Sequence, residues 1–228
     1  MRIGAVLAGT VAAALAAAPC LAHDPSLHAP VQVEGPADDY VYQLAPPGSY
    51  DLPRIKPAAV MTVLDESGDP VDLKTLYAGH LTILSFMYTR CGDACPLAAL
   101  RLADLQRLAA EDSALARQLQ IVSLSFDPDY DTPAVMAEYG GMMRLPDVAA
   151  PRWLFLTAPD SASLAPLLAA YNQTVSRAGP DSVSGPFSHL LRAFLIDGEG
   201  SIRNIYSADF LDPRLLMNDL KTLQMEAP

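Results

Sequence analysis

One stretch, residues 81–96, sets the strongest limit on how this chain folds. It begins with apolar and β-branched residues, LTILSFMY, which is the composition of a buried strand. It ends with two cysteines, Cys91 and Cys95, and Pro96 follows at once. Pro96 suits the first position of a helix, so Cys95 is the predicted N-cap. A strand that continues through a loop into a helix places that loop at the carboxyl edge of an α/β sheet, where binding sites usually lie.

The rest of the chain alternates predicted strands with predicted helices. Strands are expected at residues 81–88, 120–126, 153–156, 190–196 and 201–206, with a β-hairpin over 59–71. Helices are expected at 73–77, from Pro96, from Pro133 to the Gly140–Gly141 pair, from Asp160 to about Tyr171, and from Pro213. In the helix after Pro96, four leucines are expected to face the core: Leu97, Leu100, Leu105 and Leu108. This order predicts an α/β domain with a mixed sheet flanked by helices.

The N-terminus has the pattern of a signal peptide. Arg2 precedes an apolar run over residues 3–18, and a small-x-small end follows at 20–22, so cleavage after Ala22 is predicted. The run is shorter than the roughly 20 residues that a membrane-spanning helix needs. An uncleaved anchor and a lipid on Cys20 are the two alternatives. Export would place the protein in the periplasm.

Composition and charge limit the remaining organisation. Residues 23–57 hold many prolines and predict an extended arm that packs over a domain spanning 58–228. Apolar residues make up 51% of the 228 residues, which is enough for a sizeable core. The net charge is −11, or −12 without residues 1–22, which contain one arginine and no acid. This acidity disfavours nucleic acid and anionic membrane surfaces as partners.

After cleavage, Cys91 and Cys95 are the two cysteines that remain, and they have three conceivable uses. They could form a structural disulfide, act as a redox couple, or hold a soft metal ion. Redox enzymes of the thioredoxin type place two residues between their cysteines, whereas three lie between these. Cys95 at a helix N-terminus is expected to ionise more easily, which favours both metal binding and nucleophilic attack. Two cysteines exclude a four-cysteine centre.

A third ligand would have to be a histidine. His23 and His28 lie in the predicted arm, and His80 lies at the far end of the central strand, about 25 Å from the cysteines. His189 precedes the predicted strand 190–196. If that strand runs antiparallel to the central strand, His189 lies beside the cysteines, and two thiolates with one imidazole form a trigonal site that fits copper. The alternative is a histidine in a loop or cap.

Three separated motifs resemble the Sco/SenC family. They are TRCGDACP at 89–96, SFDP with DTP at 125–133, and SH at 188–189 ahead of FLIDGEGSIR. The resemblance covers residues 52–223. It implies a thioredoxin-like fold with an inserted β-hairpin and an N-terminal extension. It also implies a copper site, Cu(I) or Cu(II), made by Cys91, Cys95 and His189.

The resemblance further implies delivery of copper to a subunit of cytochrome c oxidase during its assembly. A copper donor and a thiol–disulfide reductase are further partners that it suggests. The alternative function is a thiol–disulfide oxidoreductase that keeps target cysteines reduced, with Cys91 and Cys95 as its redox pair; a peroxidase of the peroxiredoxin kind is third. Gly92 stands where the family usually has proline, and Asp93 matches as a proton-handling candidate. Asp127 and Asp131 also match, and we interpret them as turn and cap residues.

Overall fold

The structure, a computed structural model, describes residues 42–92, 94–146, 149–179, 182 and 185–226. Its strands are β1 (Lys56–Pro57), β2 (Thr62–Leu64), β3 (Pro70–Asp72), β4 (Leu81–Met87), β5 (Leu119–Ser125), β6 (Arg152–Leu156), β7 (Val175–Arg177), β8 (Phe187–His189), β9 (Arg192–Ile196) and β10 (Ser201–Ser207). Its helices are α1 (Leu73–Tyr77), α2 (Ala94–Ala110), α3 (Ser113–Gln118), α4 (Pro133–Met143), α5 (Ser161–Ala170) and α6 (Pro213–Glu226), with a 3₁₀ turn at Ala208–Phe210. The predicted signal peptide lies outside the described residues. Within them, no helix combines the length and apolar character needed to cross a bilayer.

Six strands form one mixed sheet in the order β1-β10-β9-β4-β5-β6. β4, β5 and β6 are parallel, whereas β9 pairs with β4 in the antiparallel direction. Ser85 of β4 therefore lies between Ser123 of β5 and Ala193 of β9. The strand that follows His189 is thus antiparallel to β4, which is the condition under which His189 was expected beside the cysteines.

The central position of β4 explains its composition. All seven of its residues are buried, as expected for a strand with a neighbour on each side and layers on both faces. Phe86 contacts Tyr171 at the end of α5 and Phe194 of β9, with ring centroids 5.3 and 6.1 Å apart. Edge-to-face contacts of this kind contribute beyond the burial of apolar area. The sheet and α5 are thus fixed against each other next to the end of β4.

The described part of the predicted arm packs on α6 and on the edge of the sheet. Tyr50 donates a hydrogen bond to Asp219, at 2.5 Å, and the backbone N–H of Ile55 donates to Ile202 O at 2.9 Å. β1 then pairs with β10. The arm therefore covers the edge of β10, which would otherwise expose unpaired backbone groups.

Several boundaries differ from the sequence predictions. α2 begins at Ala94, so Cys95 lies in its first turn and is not the N-cap. Leu105 is buried, Leu97 and Leu108 are half-buried, and Leu100 is 61% exposed, so its predicted core position is wrong. The strand expected at 190–196 begins only at Arg192, as β9, and His189 belongs to a separate short strand, β8.

The Gly140–Gly141 pair does not end α4, which continues to Met143. The reason is packing. A Cβ built on Gly140 would lie 2.6 Å from the Phe155 ring, so glycine allows α4 to approach β6 closely. A Cβ on Gly141 would meet nothing within 4 Å.

The two glycines give a matched test of this close approach. Gly140→Ala should lower the free energy of unfolding by about 1–3 kcal/mol, because Phe155 has to move. Gly141→Ala should raise it by about 0.5–1 kcal/mol, because alanine favours an exposed helical position. Chemical denaturation of both variants measures this, and equal effects of the two would contradict the packing argument.

Candidate metal centre

The two cysteines lie on a short connection between β4 and α2. The backbone N–H of Cys91 donates to Tyr88 O at 3.4 Å, which turns the chain directly after the strand. The backbone N–H of Cys95, in the first turn of α2, donates to Cys91 Sγ at 3.4 Å. Cys95 is 3% exposed, whereas Cys91 is half-buried. The two cysteines do not form a disulfide.

A buried carboxylate holds the start of this connection. Asp131 is fully buried and accepts hydrogen bonds from Thr89 N–H at 3.0 Å, from the Thr89 hydroxyl and from the Ser125 hydroxyl. It lies in the loop after β5, so it ties the ends of two parallel strands together. Our interpretation of Asp131 as a turn residue missed this contact with the segment that carries the cysteines.

A second acid in the same loop adds an ion pair. Asp127 Oδ2 lies 2.6 Å from a guanidinium nitrogen of Arg90, and that guanidinium also lies 3.9 Å from the centre of the Tyr130 ring. Burial raises the pKa of Asp127, and Arg90 offsets part of that rise. Arg90 and Thr89 are thus both fixed from the β5 side, immediately before Cys91.

His189 reaches the cysteines from the opposite side. It is the last residue of β8, in the hairpin that β8 forms with β7. Its Nε2 lies 3.3 Å from Cys95 Sγ. Its ring packs edge-to-face against Phe126 and Tyr88, with centroids 4.8 and 5.9 Å apart. These rings fix the plane of the imidazole and leave its Nε2 directed at the sulfur.

Glycine allows this hairpin to approach the cysteine segment. Gly185 has φ +105°, and a Cβ there would lie 2.6 Å from Arg90 O and 2.7 Å from the Tyr88 hydroxyl. That hydroxyl donates to Phe187 O at 2.9 Å. Burial and the neighbouring Cys91 sulfur raise the pKa of Tyr88 to about 12, so the hydroxyl keeps the proton that it donates at neutral pH.

The three side chains proposed from the sequence therefore come together. One ligand atom from each of Cys91, Cys95 and His189 lies within 4.8 Å of the other two. Bonds of about 2.0–2.3 Å in a trigonal site separate the ligand atoms by about 3.5–4 Å. A closure of about 1 Å would complete the site. In the described part of the chain, no other group of three or more His, Cys, Asp or Glu side chains clusters in this way.

The other candidates do not join this cluster. His80 lies just before β4, at the opposite end of the strand from the cysteines. His23, His28 and Asp93 lie outside the described residues. A residue that our sequence analysis missed is Gln173, whose Nε2 lies 3.4 Å from His189 Nδ1. No local pattern marks it, because the contact depends on the β7–β8 hairpin.

Comparison with known protein families identifies the family of this chain. The family model described as SCO1/SenC matches residues 58–224. The chain belongs to the SCO1/SenC family. The predicted resemblance is therefore confirmed.

Solved structures show the shared fold. Arabidopsis thaliana ScoI with copper bound superposes with a TM-score of 0.63 at 20% identity, over 75% of this chain and 99% of that one. BsSco superposes with a TM-score of 0.58 at 19% identity, over 79% and 97%. BsSco is described as having a disulfide switch and as a member of the Sco family of cytochrome c oxidase assembly proteins. The predicted thioredoxin-like fold is confirmed by these likenesses.

One curated relative matches over a shorter span. It is a Stutzerimonas stutzeri protein named as a candidate copper-binding protein, and it is 35% identical over 89 residues. The match covers 39% of this chain and 42% of that protein, so it spans less than half of either.

The contacts of Asp131 lead to a prediction about the frame of the site. Asp131→Ala leaves the Thr89 N–H and the Ser125 hydroxyl without their acceptor, and should lower the free energy of unfolding by about 3 kcal/mol. Asp129→Ala is the matched control, since Asp129 is exposed in the same loop; it should change stability by less than about 0.5 kcal/mol. Denaturation of the reduced variants measures both, and a loss below 1 kcal/mol for Asp131→Ala would contradict the bracing role.

Proposed function

We propose that this protein is an exported copper carrier of the Sco family. It binds one copper ion through Cys91, Cys95 and His189 and transfers the ion to the copper-accepting subunit of cytochrome c oxidase during assembly. The observation that carries the proposal is the convergence of two thiols and one imidazole within 4.8 Å. Copper-bound structures of relatives with the same fold support it.

The ligand set favours copper over other ions. Thiolates are soft ligands that select Cu(I), zinc or iron–sulfur centres. Structural zinc sites use four protein ligands, and in the described residues the cluster offers three. Three soft ligands suit a trigonal copper ion.

The burial of the ligands suggests how the ion would leave. Cys95 and the face of His189 that packs on Phe126 are enclosed, whereas Cys91 is half-buried. An incoming thiolate or imidazole of the acceptor can therefore approach beside Cys91. It would add to the three-coordinate ion and displace Cys91 first, and the remaining ligands would follow one at a time. Stepwise exchange avoids release of the free ion into water.

A thiol–disulfide oxidoreductase is the second candidate, favoured by two neighbouring cysteines that do not form a disulfide and by the disulfide switch described for BsSco. Cys91, the more accessible thiol, would attack a target disulfide and form a mixed disulfide while one target thiolate leaves. Cys95 would then attack Cys91 Sγ, release the second target thiolate and leave a Cys91–Cys95 disulfide. Two electrons pass to the target.

His189 separates the two functions. His189→Ala removes one of three ligands, so it should weaken Cu(I) binding at least tenfold and stop oxidase maturation. Both sulfurs remain, so dithiol oxidation and reduction should be nearly unchanged. Competition with a Cu(I) chelator and oxidase activity in complemented cells measure the two effects.

Two controls make this experiment decisive. Cys91→Ser should abolish both functions, and the oxidised wild-type chain should not bind copper, because a disulfide offers no thiolate. Full oxidase assembly with His189→Ala but none with Cys91→Ser would replace copper carriage with the reductase function.

The same cells test export: the wild-type chain should be recovered from the periplasm at the mass of residues 23–228, and a mass that retains residues 1–22 would contradict cleavage.

A further inference from the structure

Gln173 contacts the side of His189 that faces away from the cysteines. Its Nε2 lies 3.4 Å from His189 Nδ1 and donates to Leu190 O at 2.6 Å. Its side chain is 4% exposed. Its Oε1 is buried and has no hydrogen-bond partner among the residues that the structure describes. The amide of Gln173 thus contacts both His189 and Leu190, the next residue along the chain.

The backbone of Gln173 is fixed by the end of α5. Asn172 has φ +50°, its N–H donates to Ala169 O at 3.0 Å, and the N–H of Gln173 donates to Leu168 O at 2.8 Å. These two bonds form a Schellman motif, the common hydrogen-bonded end of a helix. Arg192 also donates to Asn172 O at 3.0 Å. Gln173 is therefore presented to His189 from a rigid helix end.

A histidine that binds a metal through Nε2 carries its proton on Nδ1. Such a histidine almost always donates that N–H to an acceptor, which fixes the ring and strengthens the ligand. In the described residues, the polar side chain that faces His189 Nδ1 is Gln173. Its amide now presents a donor there, while its acceptor Oε1 is unused.

We propose that Gln173 is a positioning residue for copper binding. Without copper, its Nε2 donates to His189 Nδ1, so the imidazole proton lies on Nε2, toward Cys95 Sγ. When copper takes Nε2, the imidazole releases its Nε2 proton to water and takes up a proton at Nδ1, and a half-turn of the amide about its Cγ–Cδ bond brings Oε1 to accept a hydrogen bond from Nδ1–H. The carbonyl of Leu190, a half-exposed residue, then turns to water. This inference rests on the proposed copper site.

An unused amide oxygen alone would not support this role. Gln120 is also buried, its Oε1 also lacks a partner among the described residues, and its Nε2 donates to Leu76 O and Thr82 Oγ1. It lies at the opposite end of the sheet from the cysteines. Gln173 differs from Gln120 in its contact with the imidazole ring of His189. Gln120 is therefore its matched control.

Gln173→Leu and Gln120→Leu test the proposal. Gln173→Leu should weaken Cu(I) binding by about 10–100-fold, the usual effect of removing a partner of a metal-bound histidine. Gln120→Leu should change it less than twofold. Chelator competition gives the affinities, and thermal melting checks that each reduced variant is folded. If Gln173→Leu does not fold, Gln173→Met, which keeps the unbranched shape, replaces it.

Nitrogen NMR of His189 in the Cu(I) form gives a readout that a purely structural role would not change. The wild type should show Nε2 bound and a slowly exchanging Nδ1 proton, and Gln173→Leu should lose that slow exchange. Equal affinity of Gln173→Leu and wild type, or equal losses in the two leucine variants, would overturn this inference alone. Wild-type His189 nitrogens that do not respond to Cu(I) would overturn the copper site together with it.

Discussion

The antiparallel pairing of β9 with β4 is the constraint on which the site depends. Cys91 and Cys95 follow β4 directly, whereas His189 comes 94 positions after Cys95. Because β9 runs against β4, its beginning lies at the end of β4, and the hairpin just before β9 lies over the cysteines. With a parallel β9, the same histidine would lie at the other edge of the sheet, about 23 Å away.

The residues around Cys91, Cys95 and His189 are held in place from two sides. On the β5 side, the buried carboxylate of Asp131 holds Thr89, and Asp127 holds Arg90. On the hairpin side, Phe126 and Tyr88 pack against the imidazole of His189. Cys91, between these supports, is the more accessible of the two sulfurs and, in the proposed carrier, would be the point of exchange. Such an arrangement can hold an ion tightly enough to carry it while leaving one side open to an acceptor.

The sequence was most informative where local chemistry decides the structure. The apolar run of β4 predicted a buried strand. The position of His189 just before a strand placed it beside the cysteines, on the condition that this strand runs antiparallel to β4. Cys95 was assigned to the N-cap, one residue outside the helix, because Pro96 also fits the first turn and helix ends vary by a residue or two. The predicted end of α4 is wrong because Gly140 is needed for close packing against the Phe155 ring and does not end the helix. Phe155 lies in a different element, so local sequence does not reveal this contact.

Two parts of the site could not be predicted from local patterns. Asp131 binds Thr89 across 42 positions, and Gln173 contacts His189 across a hairpin of 16 positions. Neither contact leaves a periodicity or a motif, because each is created by the packing of loops after the sheet has formed. Their burial, and the number of hydrogen bonds that each makes, became apparent only in three dimensions.

X-ray absorption of the reduced chain loaded with one equivalent of Cu(I) tests the central claim most directly. We expect two sulfur ligands at about 2.3 Å and one imidazole nitrogen at about 2.0–2.1 Å, if copper resembles zinc in these distances. The imidazole signal should disappear in His189→Ala. A copper ion bound by sulfur alone in the wild type, or by nitrogen and oxygen without sulfur, would contradict it.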